Sequence, residues 1–305
     1  MLWFRKRAHI LVTLTQLEYF RALAETEHVT KTAEKLHISQ TALTAMIRRL
    51  EEELQTPLFR REGRNVRLNV YGRAYLEYVN AVFNELNNGK ATLDLMKGKH
   101  SNQISFCLVG ANDYKTVIAA FQRANPRINL NHYEYTQAQF LPRLLNSELD
   151  FVIEGSLPFN NERLDSAVIF EEQLYIAAHP GHWLAQRESV SLAELVGEPM
   201  VAFSREHSFR QLCDHFCKMA GFVPNYVIEC YNSLFAHIFH NTDAIAIVPS
   251  STATSHNLSD AVYVPVKDEF TKYPVRIYWL KGRIFTPAMT AFVDHFLGWY
   301  RKGAQ

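Results

Sequence analysis

Gln40, Thr41, Thr44, Ala45 and Arg48 are small or polar side chains at a spacing that puts them along one helix face. Their chemistry is that of base-edge recognition. A helix that enters a major groove ~12 Å wide needs such residues on its exposed N-terminal turns. Gln40 can pair with adenine N6 and N7, and Arg48 with guanine or with phosphate. Thr41 or Thr44 can meet a thymine methyl or a backbone oxygen. Thr30 and Lys31, a little upstream, suit phosphate at the start of a helix. Arg61 and Arg64, downstream, suit phosphate or the minor groove. Two partners stay open for Arg60 and Arg67, DNA or nearby glutamates. Glu51, Glu52 and Glu53 cannot face phosphate and mark a solvent or dimer side. Polar residues on a helix are often merely solvated, so this reading depends on the elements around them.

Those elements are legible. Leu17, Phe20 and Leu23/Ala24 form one apolar stripe, and Thr15 with Glu18 suggests a capping box that starts this helix. Thr30 to His37 reads as a second short helix, with Ala33 and Leu36 inward. Ser39, itself a candidate DNA contact, is placed to be the N-cap of a third helix, from Gln40 to about Leu54. Its expected inward face is Ala42/Leu43, Met46/Ile47, Leu50 and Leu54. Two short helices across a tight turn match a helix-turn-helix. Leu58-Phe59 and Val66-Arg67-Leu68 then flank a basic, Gly-containing segment from Arg60 to Asn65, which reads as a β-hairpin wing. A long helix follows from about Tyr71 to Met96, with Asn69 as its cap. Its apolar positions are Ala74/Tyr75, Tyr78/Val79, Val82/Phe83, Leu86, Leu93 and Met96. Such a stripe is a helix–helix dimer contact or an intradomain core. The lack of a sequence-adjacent element to cover it favours the dimer.

With 305 residues the chain exceeds the usual single-domain limit of ~250–300, so two or three domains are expected. The net charge of +1 hides an asymmetry: residues 1–100 carry +5 and the remainder −4. A basic N-terminal third suggests a polyanion partner for one end only. No apolar run approaches the ~18 residues of a membrane span. The patch from His9 to Leu14 is too short for a secretory signal, which implies a cytoplasmic protein. The four cysteines fit a reduced chain better than a disulfide framework. Cys213 and Cys217, with His215 between them, are spaced as metal ligands or oxidant sensors could be. With no complete four-ligand zinc pattern, they read as ordinary part-buried thiols. No cofactor is expected.

From Ile104 the chain alternates strands and helices. Strands are expected at 104–109, 128–135, 151–153, 174–178, 200–203, 226–229, 244–248, 262–266 and 275–280, and helices at 114–124, 140–146, 209–220, 234–239 and 288–300. This alternation predicts a mainly parallel sheet covered by helices. The polar segment from Lys97 to Asn102 is a linker.

Taken together these residues resemble the LysR-type transcriptional regulators. The resemblance is densest from Ala33 to Thr44, from Ile47 to Leu54 and from Pro57 to Arg61, and includes Gly72. It continues more loosely through Gly110, Leu149–Ile153, His179-Pro180 and Ala244–Pro249. It implies an α/β protein with three parts. These are a winged helix-turn-helix over 15–73, a linker and dimerisation helix over 74–99, and an effector-binding domain over 102–305. The last is similar to periplasmic binding proteins, with subdomain I at about 102–165 and 266–305 and subdomain II at about 166–265. It also implies double-stranded DNA, a small-molecule effector and further copies of the chain, in dimers or tetramers, as partners, and no membrane.

The chain departs from the family pattern in places. Thr41 replaces a frequent Pro and Thr44 a frequent Ser. Gln55 stands where a Gly commonly ends the third helix, so a left-handed cap would be strained. Asn241 and Asp243 replace glycines before the 244–248 strand.

The effector is expected at the C-terminal ends of the parallel strands. By position the candidates are Ala111, Asn112, Asp113, Glu154, Gly155, Phe203, Ser204, Asn232, Ser233 and Pro249; turn or cap chemistry is the alternative for each. Many family effectors are small carboxylates. Asp113 and Glu154 add negative charge here, which puts cationic, zwitterionic or neutral ligands beside acids. Effector closure of the cleft would change the spacing of paired DNA-binding heads and the bend they impose. An enzyme is the competing class. The sequence lacks a Gly-x-Ser-x-Gly elbow, a phosphate loop, a dinucleotide glycine fingerprint and a His-Glu-x-x-His pair. A solute-binding protein would account for 102–305 alone and would need export.

Overall fold

The computed structural model describes residues 12–63, 65–97, 102–109, 114–155, 161–255, 258 and 260–302. The chain divides into two compact units, Met1–Lys90 and Ala91–Gln305.

In the first unit, α1 runs Leu14–Thr26. Its cap is Thr13, not Thr15. The Gln16 amide N–H donates to the Thr13 hydroxyl (3.2 Å), and Gln16 Oε1 accepts from the Thr13 amide (2.8 Å). A glutamine at the third position serves the box as well as a glutamate, so the register moves by two residues. Helix α2 (Val29–Lys35) and α3 (Gln40–Glu53) follow. Ser39 caps α3 as expected, its Oγ accepting from the Ala42 amide at 3.1 Å. Leu17, Phe20, Leu23, Ala33, Leu43, Ile47 and Leu50 close one core. Ala42 stands outside it, exposed. Gln55 ends α3 at φ 51°, with its own amide bonded to Glu52 O and that of Thr56 to Glu51 O. This is a Schellman closure with a non-glycine residue in the left-handed position.

Strands β1 (Phe59–Glu62) and β2 (Asn65–Leu68) form the wing, with Phe59 opposite Leu68 and Glu62 opposite Asn65. The strands therefore extend through most of the segment expected to be the tip. The 27-residue α4 (Val70–Met96) begins at Asn69, whose Oδ1 accepts from the Gly72 amide at 2.8 Å. Gly72 is obligatory: a Cβ there would lie 2.1 Å from the Leu58 carbonyl oxygen. The two readings of the α4 stripe divide by face. Val79 is buried, and Tyr75 and Phe83 pack against the core. Tyr78, Val82, Leu86, Leu93 and Met96 are exposed.

The second unit holds two five-stranded sheets, one for each expected subdomain. Their strands are β3 (Gln103–Val109), β4 (Asn129–Tyr133), β5 (Phe151–Glu154), β6 (Leu164–Glu172), β7 (Leu174–Ala178), β8 (Pro199–Phe203), β9 (Asn225–Cys230), β10 (Ile245–Pro249), β11 (Val262–Pro265) and β12 (Tyr273–Leu280). The orders are β4-β3-β5-β12-β6 and β11-β7-β10-β8-β9. Both sheets are mixed. The β4, β3 and β5 strands are parallel, as are β9, β8 and β10; β12, β6, β7 and β11 join by antiparallel pairing. Helices α5 (Lys115–Ala124), α6 (Gln137–Leu145), α7 (Ser208–Met219), α8 (Asn232–His240), α9 (Ser250–Ser255) and α10 (Pro287–Lys302) connect or flank them.

Strand β6 escaped the sequence reading. It is an edge strand, and its apolar run, Ala167–Phe170, is only four residues long and flanked by acidic residues. It keeps residues up to Glu172 in the first sheet, so the first crossing falls at Gln173 rather than near 165. The second lies between Pro265 and Tyr273. The two crossings sit side by side, because Tyr273 is the register partner of Glu172. One buried apolar cluster runs through both halves and includes Phe106, Phe121, Phe151, Phe209, Phe292 and Phe296.

Candidate functional site

Helix α3 is buried along Leu43, Ile47 and Leu50. By the helical period its opposite face carries Thr41, Thr44, Ala45 and Arg48. Thr41, Ala45 and Arg48 are exposed and Thr44 is half-buried. Arg48 has no hydrogen-bond or ion-pair partner among the described residues. Its neighbour Arg49 is instead paired with Glu53 at 3.1 Å, one turn on. A concave groove of about 500 Å³ lies between α3 and the wing. Leu43, Ile47, Phe59 and Val66 give it an apolar floor, and Arg48, Arg60 and Arg61 a cationic rim. Arg61 lies two residues from Phe59 and so shares its side of the strand.

Four of the expected DNA contacts, Thr30, Ser39, Gln40 and Thr41, have side chains engaged inside the protein. The Gln40 side-chain amide donates to the Thr30 hydroxyl and ties α3 to α2. Ser39 spends its hydroxyl on the Ala42 amide and on Thr41 Oγ1 (2.9 Å). Lys31 is exposed, its backbone amide bonded to His28 Nδ1 at 3.4 Å. Arg64 lies outside the described residues. Of the two arginines left open, Arg67 pairs with both Glu27 and Glu62. Arg60 keeps an exposed side chain on the groove.

Glu51 was misjudged as a solvent or dimer marker. Its Oε1 accepts the Leu58 amide at 2.7 Å and the Phe59 amide at 3.1 Å. No local pattern reveals this, since the two ends of the contact lie on either side of the α3 terminus.

In the second unit the parallel strands of each sheet end together. One edge brings Glu154 and Gly155 to the end of β3; Ala111, Asn112 and Asp113, which follow β3, lie outside the described residues. The other brings together Phe203, Ser204, Pro249 and the first turn of α8 with Asn232 and Ser233. Glu154 is 2% exposed and Phe203 5%. Phe203 is packed between His207 (4.5 Å) and Phe235 (4.3 Å), so it serves as a wall rather than as a free contact. Ser204 extends the β8–β9 pairing through its amide to Cys230 O at 2.9 Å, and its carbonyl accepts the His207 amide at 2.9 Å.

The group that joins the two sheets is one the sequence pattern does not single out. Glu172, 1% exposed, accepts the Ser250 hydroxyl and the amides of Ser251 (3.3 Å) and Gln173 (3.2 Å). Burial raises its carboxyl above the usual range, outweighing those hydrogen bonds. Tyr273 lies opposite it and 6.5 Å, ring to ring, from Phe209 of α7. The hydroxyls of Tyr114, Tyr273 and Ser208 are buried with no hydrogen-bond partner among the described residues. Tyr114 and Tyr273 both lie within electrostatic reach of Glu172. The one signal in the sequence was a glutamate next to the Leu174 strand. His207, which caps α7, is pushed down to about 4 by burial and stays neutral at physiological pH.

Cys107, Cys213, Cys217 and Cys230 are all buried as free thiols. Burial pushes Cys107 and Cys217 up to about 12 and also raises Cys213 and Cys230. Among the described residues no helix is long and apolar enough to cross a membrane.

Comparison with known proteins gives two family matches. Residues 14–73 match the bacterial regulatory helix-turn-helix protein, lysR family, and residues 107–301 the LysR substrate binding domain. An HTH-type regulator of Bacillus subtilis, YybE, is 29% identical over 92% of this chain and 98% of its own length. A hydrogen peroxide-inducible genes activator of Dickeya chrysanthemi is 29% identical over 89% and 90%. A full-length OxyR variant from Pseudomonas aeruginosa has a similar fold, with a TM-score of 0.68 at 21% identity, covering 93% and 94% of the two chains.

Proposed function

The chain belongs to the LysR family of DNA-binding transcriptional regulators with an effector-binding domain, and on that premise we propose which of its residues read DNA and what kind of signal it answers. Arg48, Thr44, Ala45 and Thr41 enter the major groove, with Gln40 held at its edge by Thr30. Arg61 and Arg64 of the wing, and Lys31, meet phosphate. The observation that carries this is Arg48, without a hydrogen-bond or ion-pair partner among the described residues, on the face of α3 opposite the core and beside a groove with a cationic rim. The exposed side of α4, from Tyr78 to Met96, meets a second copy of the chain. A dimer supplies the two heads that a two-half-site operator requires.

The signal is a bound small molecule rather than thiol oxidation. The Dickeya relative is named as peroxide-inducible, but oxidation needs an accessible thiolate. All four thiols here are buried and held protonated. The ligand sits where the parallel strands end, at Glu154, Gly155, Ser204 and Pro249, with a carboxylate and a hydroxyl among them. That lining suits a cationic, zwitterionic or neutral molecule at least as well as a dicarboxylate. Closure on it shifts the DNA-binding heads. Bending a site costs ~1–6 kcal/mol, comparable to the ~1–3 kcal/mol of a typical coupling between sites. The protein acts through binding and not through catalysis.

A gel shift on the DNA upstream of its own coding region tests the first claim, and absence of a specific complex defeats it. Native alkylation by iodoacetamide tests the second. Labelling should be far slower than after unfolding, and fast labelling of any cysteine would return oxidation to contention.

A further inference from the structure

Both strands of the wing are tied to the helix-turn-helix by carboxylates from different helical segments. Glu51, on α3, accepts the amides of Leu58 (2.7 Å) and Phe59 (3.1 Å) at the entry to β1. Glu27, in the turn after α1, accepts the Leu68 amide at 3.0 Å with Oε1 and holds Arg67 with Oε2. Its backbone carbonyl accepts the Val66 amide at 3.2 Å. Glu27 stands at φ 50° to do so. The backbone amides of Leu58 and Phe59 sit outside the β1–β2 ladder that begins at Phe59 opposite Leu68. Without the carboxylate, two amides at the hinge of the wing lose their partner.

We infer that Glu51, seconded by Glu27, is a positioning residue for DNA: it fixes the wing arginines relative to the recognition helix without touching DNA itself. This rests on the DNA reading above. A carboxylate in the lining of a groove meant for phosphate opposes the ligand by its charge. Its place there is explained by the two amides, which consume the oxygen that would otherwise face DNA. What Glu51 supplies is an acceptor at a fixed reach, not a charge.

That distinction sets the test. In the full chain, Glu51→Gln keeps an acceptor oxygen at the same reach and removes the charge. Glu51→Asp keeps the charge and shortens the reach by about 1.5 Å, one carbon–carbon bond. Binding to the chain's own upstream duplex is followed by fluorescence anisotropy from 50 to 300 mM salt. Each phosphate contact contributes about one unit to the slope of log affinity against log salt. Glu51→Gln should keep the wild-type slope. Glu51→Asp should lose one to two units and bind roughly tenfold more weakly at the lowest salt. Arg61→Ala should then cost much less in the Glu51→Asp background than in the wild type. A merely destabilised protein loses active fraction and keeps its slope, so the slope separates the two even if Glu51→Asp melts earlier. The inference is overturned if Glu51→Asp keeps the full slope, or if Glu51→Gln loses as much as Glu51→Asp. A wild type with no salt-dependent duplex binding overturns instead the DNA reading beneath it.

Discussion

The DNA-binding head and the sensor unit carry their candidate sites in opposite ways. In the head, the reading face is a stripe on one helix. Thr41, Thr44, Ala45 and Arg48 project from α3 because Leu43, Ile47 and Leu50 occupy its other side. Arg48, the proposed base reader, is exposed and has no partner among the described residues. In the sensor unit, the groups at the meeting of the sheets are buried and drawn from segments far apart in the chain. Glu172 and Ser250 are 78 residues apart, yet bonded. A surface that must enter a groove in a rigid polyanion has to protrude and keep its donors free. A site that must enclose a small molecule has to be concave and dry, and only chain returns can build it. The head is therefore sensitive to single exposed side chains and to its wing joint, the sensor unit to buried polar groups.

The sharpest way to break this contrast is at the wing joint. Gly72→Ala forces a Cβ to 2.1 Å from Leu58 O and 2.6 Å from a Leu68 methyl. The head should lose more than about 3 kcal/mol and all specific DNA binding. Ligand binding to the sensor unit should persist in thermal-shift measurements. Loss of both together would merge the two regions into one cooperative body.

Next in size is acid. His207 falls from 6.5 to about 4 on folding, so the unfolded chain takes up a proton there before the folded chain does. Its stabilising contribution is complete above pH 6.5 and lost as the pH drops toward 4, by about 3 kcal/mol. Urea unfolding followed by Trp183, Trp279 and Trp299 should show this. His207→Asn, which keeps a cap acceptor, should flatten that part of the profile. An unchanged profile would mean that the imidazole is hydrated rather than buried.

Arg48→Ala should cost ~1–3 kcal/mol of operator affinity, about ten- to a hundredfold, with little change in melting. Comparing operator with scrambled duplex sharpens the assignment. A loss confined to the operator makes Arg48 a base reader, whereas an equal loss on both makes it a phosphate contact. The smallest effect is expected at Gln55, held at φ 51°. Gln55→Gly should stabilise the head by a few tenths to about 1 kcal/mol. A lower melting temperature would show that the side chain contributes something its backbone strain conceals.

Much of this was legible in the sequence because it is local. The Ser39 cap, the stripe of α3, the wing and the strained Gln55 each depend on residues a few positions apart, where helical period and capping chemistry act. The first helix slipped by two residues because Gln16 can do in a capping box what Glu18 was expected to do. Strand β6 was missed because its apolar run, Ala167–Phe170, is too short for periodicity alone to tell strand from helix or loop.

The amino-acid order by itself determined the element types, the basic head and the exposed reading face, since these follow from periods of 3.6 and 2 and from side-chain chemistry within one turn or hairpin. Tertiary structure alone decided that Glu51 holds the wing, that Glu172 locks the two sheets beside their crossings and that the four thiols are sealed. Each depends on which distant segments meet, and burial, not residue type, then fixes whether a carboxylate or a thiol stays charged.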